Sequence, residues 1–427
     1  MNLFVSELTC VICGSTFPGA NLATAEATWM VCPRCGPDGV LDIGYDLDRV
    51  RAAWQERPLA DRPRNHWRYA ELLPLEPDAV PYEWSVGWTP IIDSPRLAQQ
   101  IGVRQVLLKD EGRNPTASFK DRASSVGVAH ALQAGAETIA CASTGNAASS
   151  LAGHAALAGL PAFIFVPHTA PEPKIAQLLV FGATVFAVKS TYDAAYDLCT
   201  KACQSFGWYN RNCAINPVLV EGKKTAGLEV AEQCRDMGMV PDWVAVSVGD
   251  GCTIAGIWKG LVQMYEFGVI DRLPRLIGVQ GSAVMPLAYA MQYDGLPPPS
   301  KGTTIADSID VHVPRNWRKA VRALRDSSGI LVGVSDDEIL EAMRLSGRHG
   351  VFAEPAAAAA LAGVISAINS KTISPNDRVL VMITGSGLKD TRSAIRAGGQ
   401  PIPVEPEVAA VERALGVSRK GAKARSA

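Results

Sequence analysis

The sequence predicts an α/β protein built on parallel sheets covered by helices, preceded by a small cysteine-rich module. Three observations carry this reading. Short, continuously apolar runs alternate with helical stretches, the pattern of strands buried on both faces. Several of these runs end in glycine- or hydroxyl-rich turns that open a helix. Two C-x-x-C pairs stand near the N-terminus. A chain of 427 residues, 48% apolar and 19% charged, is long enough for two packed domains and an appendage.

Residues 1–45 form the appendage. Cys10-Val11-Ile12-Cys13 and Cys32-Pro33-Arg34-Cys35 are separated by 18 residues, the spacing of a zinc ribbon. Gly14 and Gly36 follow the second cysteine of each pair, where a knuckle turn favours positive φ. Four thiolates close a tetrahedral shell with no open position. Cys10, Cys13, Cys32 and Cys35 are therefore assigned a structural Zn2+ and no catalysis. A redox pair and chance spacing are the rival readings. Cys141, Cys199, Cys203, Cys213, Cys234 and Cys252 are scattered and read as small core residues in a reducing compartment.

Residues 46–84, rich in Arg, Pro and Trp, read as a connecting arm with short helices such as Leu47 to Glu56. Strands are expected at Gln105–Lys109, Thr138–Ala142, Ala162–Val166 and Thr184–Val188, the last two as further buried strands. Later strands are expected at Val244–Val248, Leu276–Val279 and Val379–Ile383, with helices at Ser118–Ala134 and Ala147–Ala158. This divides the chain into a large domain (85–134 and 221–400) and a small domain (135–220). A tail (401–427) turns polar and then basic at Arg419, Lys420, Lys423 and Arg425, a solvated end.

A net charge of −1 gives no reason to expect nucleic-acid binding. No apolar run reaches the length of a membrane span. Met1-Asn2-Leu3-Phe4 lacks the layout of a signal peptide, so a cytoplasmic compartment is expected. The six histidines are dispersed and suggest no metal cluster.

The chemistry concentrates at strand ends, where ligands of such folds sit. Asn114-Pro115-Thr116-Ala117-Ser118-Phe119-Lys120-Asp121-Arg122 places a lysine in an apolar-polar turn. The strand ending at Ala142 then runs into Ser143-Thr144-Gly145-Asn146-Ala147. This is what a pyridoxal phosphate enzyme needs. Lys120 would supply the amine that joins the cofactor aldehyde. Its reference pKa is about 10.4, and a semi-buried site lowers it and frees the amine. The small residues after Ser143 let backbone N–H groups approach a substrate carboxylate at a helix N-terminus. A plain helix cap uses the same groups. Gly249-Asp250-Gly251-Cys252-Thr253 likewise opens a helix expected from Ile254 and suits an anion, with an ordinary tight turn as the alternative.

The lysine segment, Ser-Thr-Gly-Asn-Ala and Thr384-Gly385-Ser386-Gly387-Leu388-Lys389-Asp390 together resemble the threonine synthase family. That family belongs to the two-domain, fold-type II pyridoxal phosphate enzymes. The resemblance runs from about Gly87 to about Ile395, roughly three quarters of the chain. It implies pyridoxal 5'-phosphate bound through Lys120, with Gly249, Asp250, Gly251, Cys252 and Thr253 at its phosphate. Asn146 is implied at the ring oxygen and Thr384 at the pyridine nitrogen, with Ser386 as the neighbouring candidate. Ser143, Thr144, Asn146 and Ala147 would hold the substrate carboxylate. A homodimer is the expected assembly. The implied reaction converts O-phospho-L-homoserine and water to L-threonine and phosphate.

Four positions depart from the family pattern. Asp250 replaces an amide, so its carboxylate is expected to point away from the anion. Cys252 is unusual in that loop, and Ala117 stands for a common glycine. Asp197 lies near a family arginine and would repel a phosphate dianion if it faced the site. A related β-elimination or β-replacement activity, of the serine/threonine dehydratase or cysteate synthase type, is therefore the second reading. A non-catalytic, cofactor-binding regulatory homologue is the third, and the intact Lys120 argues against it. Glu354-Pro355 fits the family and fits a plain helix start equally. Lys223-Lys224-Thr225 either serves an anionic substrate or caps a helix from Thr225.

Overall fold

The computed structural model describes residues 4–23, 30–76, 85–170, 172–190, 192–213 and 215–416. Met1, Asn2 and Leu3 and the basic residues Arg419, Lys420, Lys423 and Arg425 lie outside the described residues.

The N-terminal module is a three-stranded antiparallel sheet of β1 (Val5–Cys10), β2 (Thr16–Pro18) and β3 (Leu41–Tyr45), in the order β2-β1-β3. Its four cysteine sulfurs lie within 4.8 Å of one another, with Cys13 Sγ 3.8 Å from Cys32 Sγ. A tetrahedron with metal–sulfur bonds of about 2.3 Å has edges of about 3.8 Å, so the four thiols fit that shell. Gly14 and Gly36 adopt φ of 68° and 66°, as the knuckle turns require.

After α1 (Leu47–Glu56), the chain alternates through β4 (Ile91–Asp93), α2 (Pro95–Ile101), β5 (Gln105–Asp110) and α3 (Lys120–Gln133). It continues with β6 (Ile139–Ala142), α4 (Asn146–Ala158), β7 (Ala162–Pro167), α5 (Glu172–Val180), β8 (Thr184–Val188), α6 (Tyr192–Phe206) and β9 (Tyr209–Asn210). Then follow α7 (Val218–Asp236), β10 (Trp243–Ser247), α8 (Cys252–Glu266), β11 (Arg275–Gly281), α9 (Pro286–Tyr293), α10 (Trp317–Asp326) and β12 (Ile330–Val334). The last elements are α11 (Asp336–Arg348), α12 (Pro355–Asn369), β13 (Arg378–Ile383), α13 (Thr391–Gly398) and α14 (Val408–Leu415).

Two sheets result. The larger has the order β12-β11-β10-β13-β5-β4 and is parallel except for β4. The smaller, β8-β7-β6-β9, is entirely parallel. Apolar clusters cover both faces of the larger sheet, which is why its central strands read as unbroken apolar runs. Thr184–Val188 was expected to be buried, but β8 is an edge strand with Thr184, Phe186 and Ala187 exposed. The helix expected from Thr225 begins at Val218, and the one expected from Ile254 begins at Cys252. The expected polar tail contains α14, whose only buried residue is Ala410. Among the described residues, no helix is long and apolar enough to cross a membrane.

The ribbon is fused to the body. Leu8, Leu41 and Ile43 share one apolar cluster with Val126 and Ala129 of α3 and Val218 of α7. A polar clamp lies beside it. Asp42 Oδ1 accepts hydrogen bonds from Lys259 Nζ (3.0 Å) and Lys319 Nζ (2.9 Å). Lys259 Nζ also donates to the Ile43 carbonyl (2.6 Å) and to Glu221 Oε1 (2.7 Å). One ribbon strand thereby holds α7, α8 and α10. Burial opposes charge on Asp42, but the two ammonium groups prevail and hold its carboxyl well below the usual carboxylate range.

Asp42→Ala leaves two largely buried ammonium groups without their shared anion. The expected loss is about 2 kcal/mol, between the ranges for exposed and buried pairs. Because the folded carboxyl is depressed, its contribution is present above about pH 4 and fades as pH falls through the acid range. Urea unfolding should therefore separate the two proteins at pH 7 and bring them closer in strong acid. Equal midpoints at pH 7 would dismiss the clamp.

Candidate active site

A cavity of about 590 Å³ opens at the carboxyl ends of strands from both sheets. Its wall includes Lys120, the 143–147 loop after β6, the 249–253 loop after β10 and Thr384 after β13. All the candidate cofactor and substrate residues from the sequence thus meet in one place. Ser386 does not, because its hydroxyl turns to the Leu388 amide as a local cap.

Lys120 is the first residue of α3. The turn before it is stitched to the end of β13. Phe119 N–H donates to the Thr384 carbonyl (2.8 Å), and Ser386 N–H donates to the Ala117 carbonyl (3.1 Å). Ala117 has φ 62°, a left-handed conformation that glycine adopts more easily. Asp121, buried behind the turn, accepts hydrogen bonds from Thr116 N–H (2.7 Å), Thr116 Oγ1 (2.6 Å) and Ser150 Oγ (2.7 Å).

Deeper still lies a fully buried ion cluster. Arg122 donates to both carboxylate oxygens of Glu111, at 2.7 and 2.8 Å, and to Glu229 Oε2 at 2.9 Å. Lys109 Nζ donates to Glu229 Oε1, to the Thr89 carbonyl (2.6 Å) and to Gln233 Oε1 (2.7 Å). Trp88 N–H completes the shell of Glu229 at 2.6 Å, and Thr89 Oγ1 donates to Glu111 at 2.8 Å.

Burial and then the neighbouring Lys223 ammonium lower the Lys120 amine to about 8, although Glu354 opposes them. About a tenth is then uncharged at pH 7, far more than for an ordinary lysine. Glu354 shifts the other way. Burial pushes its carboxyl up to about 7, against the hydrogen bonds from Asn146. Asn146 Nδ2 donates to both Glu354 oxygens, at 2.8 and 2.9 Å. Glu354 is thus more than a helix start, since its carboxylate makes no cap bond and binds the amide across the cavity.

In the 249–253 loop, Gly251 has φ 93°, and a Cβ there would stand 2.9 Å from Ala320 Cβ and the Asn316 carbonyl. α8 starts at Cys252, so its unpaired N–H groups face the cavity. Asp250 is held by the backbone of residues 315 and 316. Its carboxylate accepts from the Arg315 N–H (3.4 Å), and its carbonyl accepts from Asn316 N–H (3.0 Å).

Of the opposite wall, only Lys223 was a candidate from sequence. It also brings in Tyr196, Arg211, residues 307–313 and Arg315. The Arg315 guanidinium lies 4.1 Å over the Tyr196 ring. Tyr196 Oη has no hydrogen-bond partner among the described residues. Asp197, one residue on, is exposed and off the wall. Lys223 and Lys224 both lie inside α7 and cap nothing. Lys223 faces the cavity, whereas Lys224 is buried 2.5 Å from Glu221 and 3.8 Å from the Tyr45 ring centre. Nothing local in the sequence marks Arg211.

The model of the pyridoxal-phosphate dependent enzyme family matches residues 83–385. Threonine synthase of Methanocaldococcus jannaschii is 35% identical over 411 residues, covering 95% of this chain and 98% of that protein. The chain belongs to the threonine synthase family. Threonine synthase of Mycobacterium bovis is 37% identical over 349 residues, 81% of this chain and 94% of the relative. Diaminopropionate ammonia lyase from Escherichia coli has the same fold, with a TM-score of 0.64 at 21% identity over 72% of this chain and 86% of that one. Maize serine racemase does too, with a TM-score of 0.61 at 21% identity over 70% of this chain and 88% of that one.

As a member of this family, the chain offers residues that fit pyridoxal phosphate. A partly neutral amine, a glycine turn at a helix N-terminus and a hydroxyl residue at a strand end border one cavity of suitable size. Gly251→Ala should strain the turn by about 1–3 kcal/mol. It should weaken pyridoxal phosphate retention about tenfold or more, while retention of pyridoxal without its phosphate changes little. Equilibrium dialysis of both compounds decides this. Equal weakening of the two would show that the turn does not hold the phosphate.

Proposed function

We propose that the protein is a threonine synthase that converts O-phospho-L-homoserine and water to L-threonine and phosphate. Relatedness over nearly the whole chain supports the activity. The observation that carries the substrate is a second set of anion-binding groups in the cavity. The 249–253 turn suits the cofactor phosphate, and Arg315 with the unpartnered Tyr196 hydroxyl suits a phosphate on the substrate. The worry that Asp197 repels that phosphate loses its basis, because the side chain is exposed and off the wall.

Pyridoxal phosphate, when bound, supplies an electron-accepting ring that acidifies hydrogens near the substrate amino group. Lys120 would hold it and, once freed by substrate, would take the Cα proton and move a proton at Cβ. Phosphate leaves from Cγ, held by Arg315 and Tyr196. Water adds at Cβ, and Lys120 returns a proton to Cα. The N–H groups of the 143–147 loop hold the substrate carboxylate. Asn146 and Thr384 would help to hold its ring, and Glu354 accepts the hydrogen bonds that orient the Asn146 amide. Cys10, Cys13, Cys32 and Cys35 hold one structural zinc ion. The enzyme works in the cytoplasm, as a homodimer.

Purified protein should release threonine and inorganic phosphate in equal amounts from O-phospho-L-homoserine. Arg315→Gln should lower kcat/KM for that substrate about 10- to 100-fold, mainly through KM, by removing a charge-assisted contact. Ketoacid formation from threonine should change little, and Asp197→Arg should leave both within about twofold. Conversion of phosphoserine or serine without any turnover of phosphohomoserine would favour the second reading.

The Lys120 amine is lowered in the folded protein, so its neutral, reactive form gains as pH rises through about 8. Pyridoxal phosphate should therefore load into apoenzyme faster as pH rises, with a midpoint near 8 and a plateau above it. Lys223→Met should move that midpoint upward by deleting the neighbouring charge. Lys120→Ala should yield no borohydride-fixed cofactor. A wild-type midpoint near 10, the ordinary lysine range, would refute the tuned amine.

A further inference from the structure

Two thiols meet on the cavity wall and have no part in the reaction above. Cys213 lies in the loop after β9, and Cys252 opens α8. Cys252 Sγ donates to the Cys213 carbonyl at 3.7 Å. Lys223 Nζ donates to Cys213 Sγ at 3.0 Å. Both residues line the cavity, with Cys213 partly exposed and Cys252 buried. The hydrogen bond from Cys252, then the charges of Lys223 and Arg211, hold the Cys213 thiol well below its ordinary value despite burial. Cys141 and Cys234 differ, since burial pushes both up to about 12. A reactive thiolate needs nearby cations and access, and Cys213 has both.

We propose that Cys213 and Cys252 are a hydroperoxide-oxidisable pair, with Cys213 the attacking thiol and Cys252 the resolving one. The Cys213 sulfur attacks the terminal oxygen of the hydroperoxide. An S–O bond forms, the O–O bond breaks, and the alcohol (water, for hydrogen peroxide) leaves with a proton. The Cys252 sulfur then attacks the sulfenic sulfur, forming the disulfide and expelling water with the Cys252 proton. Two thiols are oxidised, one hydroperoxide is reduced, and a thiol reductant reverses the change. The bond ties the loop after β9 to the turn assigned to the cofactor phosphate. Turnover therefore falls in the oxidised form and returns on reduction.

The test treats reduced holoenzyme with a small excess of hydrogen peroxide, blocks free thiols and maps the linked peptides. A Cys213–Cys252 peptide about 2 Da lighter than its reduced parts is expected, formed at least about tenfold faster than Cys141 or Cys234 is consumed. Mapping keeps this event separate from oxidation of the ribbon cysteines. Dithiothreitol should restore both thiols and turnover. Cys252→Ser should stop the reaction at a sulfenic acid on Cys213 that dimedone captures, and Lys223→Met should slow the first step. No such linkage in wild-type protein, a linkage to another cysteine, or Cys213 reacting no faster than Cys141 would overturn the pair. The wild-type map decides even if a variant fails to fold.

Discussion

Four side chains that never touch water fix where Lys120 points. Arg122, Glu111, Glu229 and Lys109 balance two positive charges against two negative ones with no exposed side-chain surface. Removing one member of such a set strands a buried charge, at a cost of about 3–5 kcal/mol. The set joins the strand before the lysine turn, the first turn of α3, the middle of α7 and the segment at Trp88 and Thr89. Residues two apart on a helix point in nearly opposite directions. Arg122 is therefore anchored inward, and Lys120 is left facing the cavity.

The cavity inherits its electrical character from this arrangement. Both Lys120 and Glu354 are drawn toward neutrality, and in both cases burial is the largest cause. One becomes a usable base and the other a carboxyl group near its midpoint, within a single wall. Arg211, Lys223 and Arg315 share the lining with Asp250, Asp307 and Asp310, so anion binding there rests on where individual cations stand and not on the charge of the cavity as a whole.

The sequence made the parallel core legible because strands covered on both faces leave unbroken apolar runs, as in Val244–Val248 and Val379–Ile383. Edge strands leave no such trace. β4 and β12 went unread, and β8 looked buried because its apolar run does not say that only one side has a neighbour. The strand-end loops were legible because small residues, a lysine and turn glycines are rare in that combination. The opposite wall was not, since Tyr196, Arg211 and Arg315 come from separate segments and face one another only after folding. Asp197 shows the same limit from the other side. A helix position one residue from the wall points elsewhere, and sequence neighbours on a helix do not share a face.

The shared apolar cluster under the ribbon means that this module has no clean seam. Val126, Ala129 and Val218 belong to the helices beside the cavity, yet the side chains that cover them come from Leu8, Leu41 and Ile43. A chain shortened to begin after Tyr45 would carry a greasy scar on the back of α3 and α7, together with two lysines whose shared counter-ion had gone. A lineage that discards the ribbon must therefore repaint that surface at the same time, with polar residues on both helices and no paired lysines at these positions.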